Sequence, residues 1–271
     1  MGSLITALAS YLDGKKSGGK WFIRIDNLDP PREDPNASGE IIASLKAHGL
    51  LSDLPIDYQS DHQQRYQQAF KRIKKHLFYC RCTRREMARY SVYPGTCRAQ
   101  RQTMADAAVR VQVGEGVVSF TDALQGPRTC RLADERGDFI VKRRDGLWAY
   151  NFATAVDDGF DASSVIRGQD LADVTPQQIF IMQLLGLQPP SYAHLPVLCF
   201  PDGTKLSKQT HAPALINSAA ARNLQQALYY LGLSPPEEAA WNTQQWLRWG
   251  RRHWHLQRVP RRLAHYISRD T

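Results

Sequence analysis

No apolar run in the chain approaches the roughly 18 residues that a helix needs to cross a bilayer, and its apolar content, 42%, is ordinary. Both facts argue against a helical membrane protein, and the second against a disordered one. The first residues lack the basic, apolar and small-residue succession of a secretory signal, so the expected location is the cytoplasm, with no membrane partner. Cysteine is scarce and odd in number, five in 271 residues. That argues against a disulfide framework and for reduced thiols, some of them available to a metal. Internal repeats and low-complexity stretches are absent. Acidic side chains are the scarcer sign: 26 Asp and Glu against 35 Lys and Arg leave a formal charge of +9. A basic surplus favours a polyanionic partner without identifying one. The length suits one large domain or two smaller ones.

What is present reads as alternating helices and strands. Leu4, Ile5, Leu8 and Leu12 recur at helical spacing, and Ser17-Gly-Gly19 ends that helix. Trp21–Ile25 reads as a short buried strand, followed by a loop stiffened by Pro30 and Pro31. A helix carrying Ile41, Ile42 and Leu45 ends at Gly49, and a brief strand lies near Ile56–Tyr58. Ser60 is the expected N-cap of a helix with Tyr66, Phe70, Ile73 and Leu77 on its buried stripe. Such a run predicts an α/β fold built on a parallel sheet with crossover helices. Regularity lapses at Cys80 and resumes with strand Phe139–Lys142, strand Val165–Gly168, a helix capped by Thr175 with Pro176 behind it, and strand Pro196–Phe200. Ligand residues belong where such strands end. The stretch Trp241–Thr271 holds four tryptophans and sets seven arginines against one aspartate. It is either a helical tail that packs its tryptophans and solvates its arginines, or a surface lying along an RNA backbone.

Two constellations carry chemistry. Asp202-Gly203 marks a tight turn, and Lys205 and Lys208 follow with Ser207 between them. Compact ammonium groups suit polyphosphate oxygens and offset charge that builds in phosphoryl or adenylyl transfer. Cys80, Cys82 and Cys97 are three soft donors on a segment with too little apolar content to fold firmly by itself, which a structural zinc would tie together. Three reduced thiols with no metal is the alternative, and Cys130 and Cys199 read as core residues.

Five segments, in order, resemble one family: Arg24–Arg32, Cys80-x-Cys82 with Cys97, Tyr150-Asn with Val156-Asp-Asp158, Arg167-Gly-Gln-Asp170, and Lys205–Gln209. The chain is similar to the class I glutamyl-tRNA synthetases, in particular to their shortened glutamyl-Q tRNA(Asp) branch, which lacks an anticodon-binding domain. The resemblance implies a Rossmann-like parallel sheet with an inserted zinc-binding, acceptor-like subdomain and a helical C-terminal segment. It implies ATP-dependent activation of glutamate, with Mg2+ accompanying ATP, and transfer from glutamyl-adenylate to queuosine in tRNA(Asp). Arg167, Tyr150 and Asp26 would bind glutamate; relatives usually have glutamate where Asp26 stands. Lys205, Ser207, Lys208 and Gly2 would bind ATP, with the two lysines acting in catalysis. Tyr93 would be the fourth zinc ligand, with His76 the chemically more usual competitor. Read from the residues alone, Arg167 could instead pair with Asp170 or Asp173, and Tyr150 could be a buried ring satisfied locally. Asp29 and Arg32 read as a structural pair.

On this basis the expected division is residues 1–79 as the first half of the catalytic domain, 80–135 as the inserted subdomain, 136–220 as the second half, and 221–271 as the basic helical segment, in a monomer. Family members open with a strand, a Pro-Ser-Pro-type loop and a His-x-Gly-[His/Ser] signature, whose second half Gly2-Ser3 resemble. The chain is therefore expected to begin part-way into the family pattern and, as written, to bind ATP weakly. A shortened glutamyl-tRNA synthetase charging a tRNA 3′ end, and a catalytically dead RNA-binding remnant, stay open as other readings.

Overall fold

The computed structural model describes residues 1–101, 103–205, 215–261 and 264–266. Helix α1 (Gly2–Lys16) buries Leu4, Ile5, Leu8, Ala9 and Leu12, and the chain leaves it through Gly18 at φ 75°. Strand β1 is only Arg24–Ile25, paired in parallel with β2 (Asp57–Tyr58). The longer strand expected from Trp21 does not form because side chains take the ladder's place. The Trp21 amide donates to Asp53 Oδ2 at 2.7 Å and the Ile23 amide to Ser52 Oγ at 3.2 Å. Helix α2 (Ala37–Ala47) lies between these strands. Ser60 is not a helix cap: it sits in a 3-10 turn, Gln59–His62, and exchanges hydrogen bonds with Asn27. Helix α3 (Gln63–Arg72) follows, with Tyr66 and Ala69 buried.

The hydrogen-bonded strands fall into four sets among the described residues, not one parallel sheet. Strands β3 (Leu77–Cys80), β4 (Ala108–Val111) and β7 (Phe139–Lys142) are antiparallel. Strands β5 (Val117–Asp122), β6 (Gly126–Arg131), β8 (Ser164–Gly168) and β9 (Ser191–Leu195) form a mixed sheet in the order β6-β5-β9-β8, parallel between β8 and β9. Strand β10 (Val197–Cys199) pairs in parallel with β11 (Ala264–Tyr266). Strands within residues 80–135 are thus bonded to strands beyond that span, β4 to β7 and β5 to β9. The mixture has a physical origin: Gly126, at φ 90°, lets β5 turn straight back into β6, and a hairpin can only add an antiparallel neighbour.

Helices α4 (Arg84–Met87), α5 (Leu132–Glu135), α6 (Tyr150–Asp161), α7 (Thr175–Leu185), α8 (Ala220–Tyr230) and α9 (Thr243–His253) complete the chain. One core packs α6 and α7 on β4, β5 and β7 through Phe152, Val156, Ile181 and Met182. A second joins α1, α8 and α9, where Leu8 and Leu12 meet Leu224, Leu228 and Trp246. Full burial of each such side chain contributes about 1.5–3 kcal/mol. Trp246 and Trp254 are fully buried, and Trp254 Nε1 donates to Asp13 on α1 at 2.9 Å. The arginines of α9 lie exposed. Among the described residues no helix is long and apolar enough to cross a membrane.

Candidate active site

The ends of β8 and β10 and the first turn of α1 enclose a cleft of about 560 Å³. Gly2, Arg24, Arg167, Asp170 and Lys205 all line it. Gly2 and Ser3, which open a 15-residue helix, border this space, and the opening of a helix suits an anion. Ser207 and Lys208 lie outside the described residues. Lys205, which bridges to Cys199 of β10, places its Nζ 2.6 Å from Asp170 Oδ2.

Arg167, the next-to-last residue of β8, is only 7% exposed. Neither Asp170 nor Asp173 holds it; they bond Lys205 and Arg136 instead. Its Nε donates to His194 Nε2 at 3.2 Å, and its Nη2 donates to Thr175 Oγ1 at 2.8 Å and Gln178 Oε1 at 2.7 Å. The guanidinium also lies over the Tyr192 ring, 5.0 Å from its centroid. Among the described residues Arg167 makes no ion pair. A buried cation that no carboxylate touches directly suits an anionic ligand. Thr175, expected as a helix cap, is instead the first residue of α7, its hydroxyl turned to Leu171 O, Arg167 and His194.

Tyr150 opens α6 and is 41% exposed. Loss of water pushes that phenol up, the charge of Arg167 opposes, and the carboxylates of Asp26 and Asp158 reinforce the rise. These four groups therefore share one electrostatic neighbourhood. Asp26 is half-exposed at the end of β1, where its Oδ1 accepts from Arg24 Nε at 2.8 Å. Arg24 Nη1 donates to the buried Asp158 at 2.7 Å. Burial disfavours the Arg24 charge, yet the two carboxylates hold it above its ordinary value; burial likewise pushes the Asp158 carboxyl up. Asp29 and Arg32 do pair, and Arg143 joins them at 2.9 Å.

Reasoning from sequence missed the frame behind these groups: Asp122, His194 and Gln178 around Arg167, and Arg24 beside Asp26. One signal was available. Asp157 and Asp158 interrupt an apolar helical stretch, and buried carboxylates require donors. Asp157 accepts from Gln59, His62, Arg65 and Tyr66, which ties α3 to α6.

At the end of β3, the sulfur atoms of Cys80, Cys82 and Cys97 lie within 4.8 Å of one another. Cys82 and Cys97 are 3.7 Å apart, close to the edge of about 3.8 Å that a tetrahedron with zinc–sulfur bonds of about 2.3 Å requires. The Tyr93 hydroxyl converges on the same point, 3.5 Å from Cys80 Sγ and 3.9 Å from Cys82 Sγ. His76 begins the opposite end of that strand and is not in the cluster. Burial raises the Cys82 thiol to about 11 and also raises the Tyr93 phenol, whereas hydrogen bonding with Tyr93 and Arg110 overcomes burial to lower Cys80. The donor set and spacing fit a closed structural zinc site. Cys130 and Cys199 are buried elsewhere.

Residues 1–224 match the family described as tRNA synthetases class I (E and Q), catalytic domain. The chain is 40% identical over 268 residues to the glutamyl-Q tRNA(Asp) synthetase of Pseudomonas fluorescens, covering 97% of this chain and 90% of that protein. It is 41% identical over 273 residues to that of Thiobacillus denitrificans, with 96% and 90% covered. Among solved structures it resembles the glutamate-tRNA synthetase of Elizabethkingia anophelis, with a TM-score of 0.79 and 19% identity. The chain is covered to 99% but spans only 65% of that synthetase. At this identity the likeness is one of fold.

Proposed function

Because the chain belongs to the class I tRNA synthetases for glutamate and glutamine, we propose that it activates glutamate with ATP and transfers it to queuosine in tRNA(Asp). Identity of 40% along nearly all of the chain and of its relative supports the substrate pair. The observation that carries the chemistry is Arg167, a buried guanidinium on the cleft wall with no acidic partner among the described residues.

In this reading one glutamate carboxylate rests against Arg167 and Tyr150. The ammonium group faces Asp26, whose Oδ2 is unbonded among the described residues, with the Arg24–Asp158 pair behind it. The α-carboxylate oxygen attacks the α-phosphate of ATP, forming glutamyl-adenylate and releasing pyrophosphate. Mg2+ bound to ATP supplies positive charge at the phosphates. Amides of the first turn of α1, including that of Gly2, and the ammonium groups of Lys205 and Lys208 add to it. A queuosine hydroxyl then attacks the activated carbonyl and AMP leaves. The acceleration comes from holding the reactants in line in the cleft, so no side chain need act as a nucleophile. The cysteine cluster with Tyr93, which does not line the cleft, would hold zinc and would thereby fasten the segment around α4.

Labelled glutamate and ATP, offered with queuosine-bearing tRNA(Asp), the same tRNA with guanosine in that position, and tRNA(Glu), test the reading. Label in the first alone is the expected result. Label at the 3′ end of tRNA(Glu), or in none of the three, would overturn it.

A further inference from the structure

Behind Arg167 stands a chain of buried groups drawn from four elements. Asp122 ends β5, His194 lies in β9, Thr175 and Gln178 belong to α7, and Arg167 is on β8. All are at most 8% exposed: Asp122 2%, His194 1%, Thr175 0%, Gln178 0% and Arg167 7%. Asp122 Oδ2 is 2.5 Å from His194 Nδ1. A carboxylate can only accept there, so Nδ1 bears a proton, and the Arg167 Nε–H aimed at Nε2 requires a lone pair on that atom. That lone pair faces the Arg167 Nε–H at 3.2 Å. Asp122 is itself held by the amides of Leu124 and Gln125, at 3.0 and 2.7 Å.

The consequence follows from counting guanidinium protons. Nε has one, used on His194; Nη2 has two, used on Thr175 and Gln178. Nη1 alone is uncommitted among the described residues. Both edges on which an arginine forks a carboxylate include a nitrogen already occupied. We propose that Asp122 and His194 are positioning residues that lock Arg167 in this orientation, so that the substrate carboxylate meets Nη1 alone and not a two-pronged fork. The inference rests on the glutamate-binding reading of the cleft and adds to it which atoms set affinity for the amino acid.

Binding of glutamate and, separately, of ATP to the full chain by calorimetry tests this, with melting profiles recorded for each variant. His194→Leu removes the acceptor and is expected to weaken glutamate about tenfold, in line with loss of one charge-assisted hydrogen bond, and to leave ATP unchanged. His194→Gln, whose amide oxygen can replace Nε2, is expected to recover all but about threefold of the affinity. Asp122→Asn, which no longer dictates the imidazole tautomer, is expected to fall between them. A His194→Leu variant that melts like the unaltered protein and binds glutamate equally well overturns the positioning roles and leaves the proposed function standing. An unaltered chain that binds no glutamate overturns both. Should His194→Leu not fold, nitrogen NMR of the histidine-labelled unaltered protein decides: a neutral His194 ring protonated on Nδ1 supports the relay, and a proton on Nε2 overturns it.

Discussion

Arg24 and Asp158, 134 positions apart in sequence, meet at 2.7 Å with side chains 13% and 5% exposed. The contact fastens β1 to α6, while Asp26, bonded to the other side of the same guanidinium, lines a neighbouring pocket with Asp29, Arg32 and Ile41. Removal of Asp158 leaves the half-buried Arg24 with only the more exposed Asp26 to offset its charge. Asp158→Ala is therefore expected to destabilise the fold by about 3–5 kcal/mol, read as a shift in the urea midpoint. Asp158→Asn, which keeps a hydrogen-bond acceptor, should lose less. Equal midpoints for unaltered and Ala variants would refute the pairing.

Two buried carboxyls give opposite pH dependences. Burial pushes Asp122 up, but the His194 ring and the amides of Gln125 and Leu124 outweigh it and hold this carboxyl below its ordinary value of 3.8. Its contribution to stability is present above 3.8 and lost as pH falls through the lower folded-state value. Burial of Asp158 raises its carboxyl above 3.8, so its contribution is fullest below that value and declines as pH climbs through the folded-state one. Unfolding measured from pH 7 downward should show Asp122→Asn flattening the acid limb and Asp158→Asn steepening it.

Zinc should copurify at one ion per chain. Cys97→Ser should lose it and melt at lower temperature, whereas Cys130→Ser, outside the cluster, should keep it. Because the ligands bind as thiolates, uptake of zinc by the chelated protein should release protons, more of them at lower pH. Metal analysis with thiol counting before and after chelation gives the answer; three thiols newly reactive after chelation is the expected number.

The Lys205–Asp170 pair is half-exposed on both sides, 49% and 38%, so its loss should change stability by less than about 1 kcal/mol. Binding should respond differently. Lys205→Ala is expected to weaken ATP several-fold with glutamate affinity unchanged, and Asp170→Ala, which removes a competitor for the ammonium, to preserve ATP binding or strengthen it. ATP titrations of both variants check this; a Lys205→Ala chain with unaltered ATP affinity would remove Lys205 from the site.

Local patterns by themselves determined a good deal here. The apolar spacing of Leu4, Ile5, Leu8 and Leu12 specified α1, the Cys80-x-Cys82 pair with Cys97 specified a metal-ready cluster, and Pro176 marked the start of α7, because each depends on residues close in the chain. Ordered motifs also indicated Arg167 and Tyr150 as ligand residues. Only tertiary structure decided what stands beside them. Asp122, His194, Thr175 and Gln178 reach Arg167 from other strands and a helix, and no local period encodes a contact across 72 residues such as that of Asp122 with His194. The same limit explains the sheet: strand positions follow from alternation and propensity, whereas pairing partners follow from where the hairpin β5–β6 and the helices leave an open edge. Which donors of the Arg167 guanidinium stay uncommitted among the described residues is a count that exists only once the chain is folded.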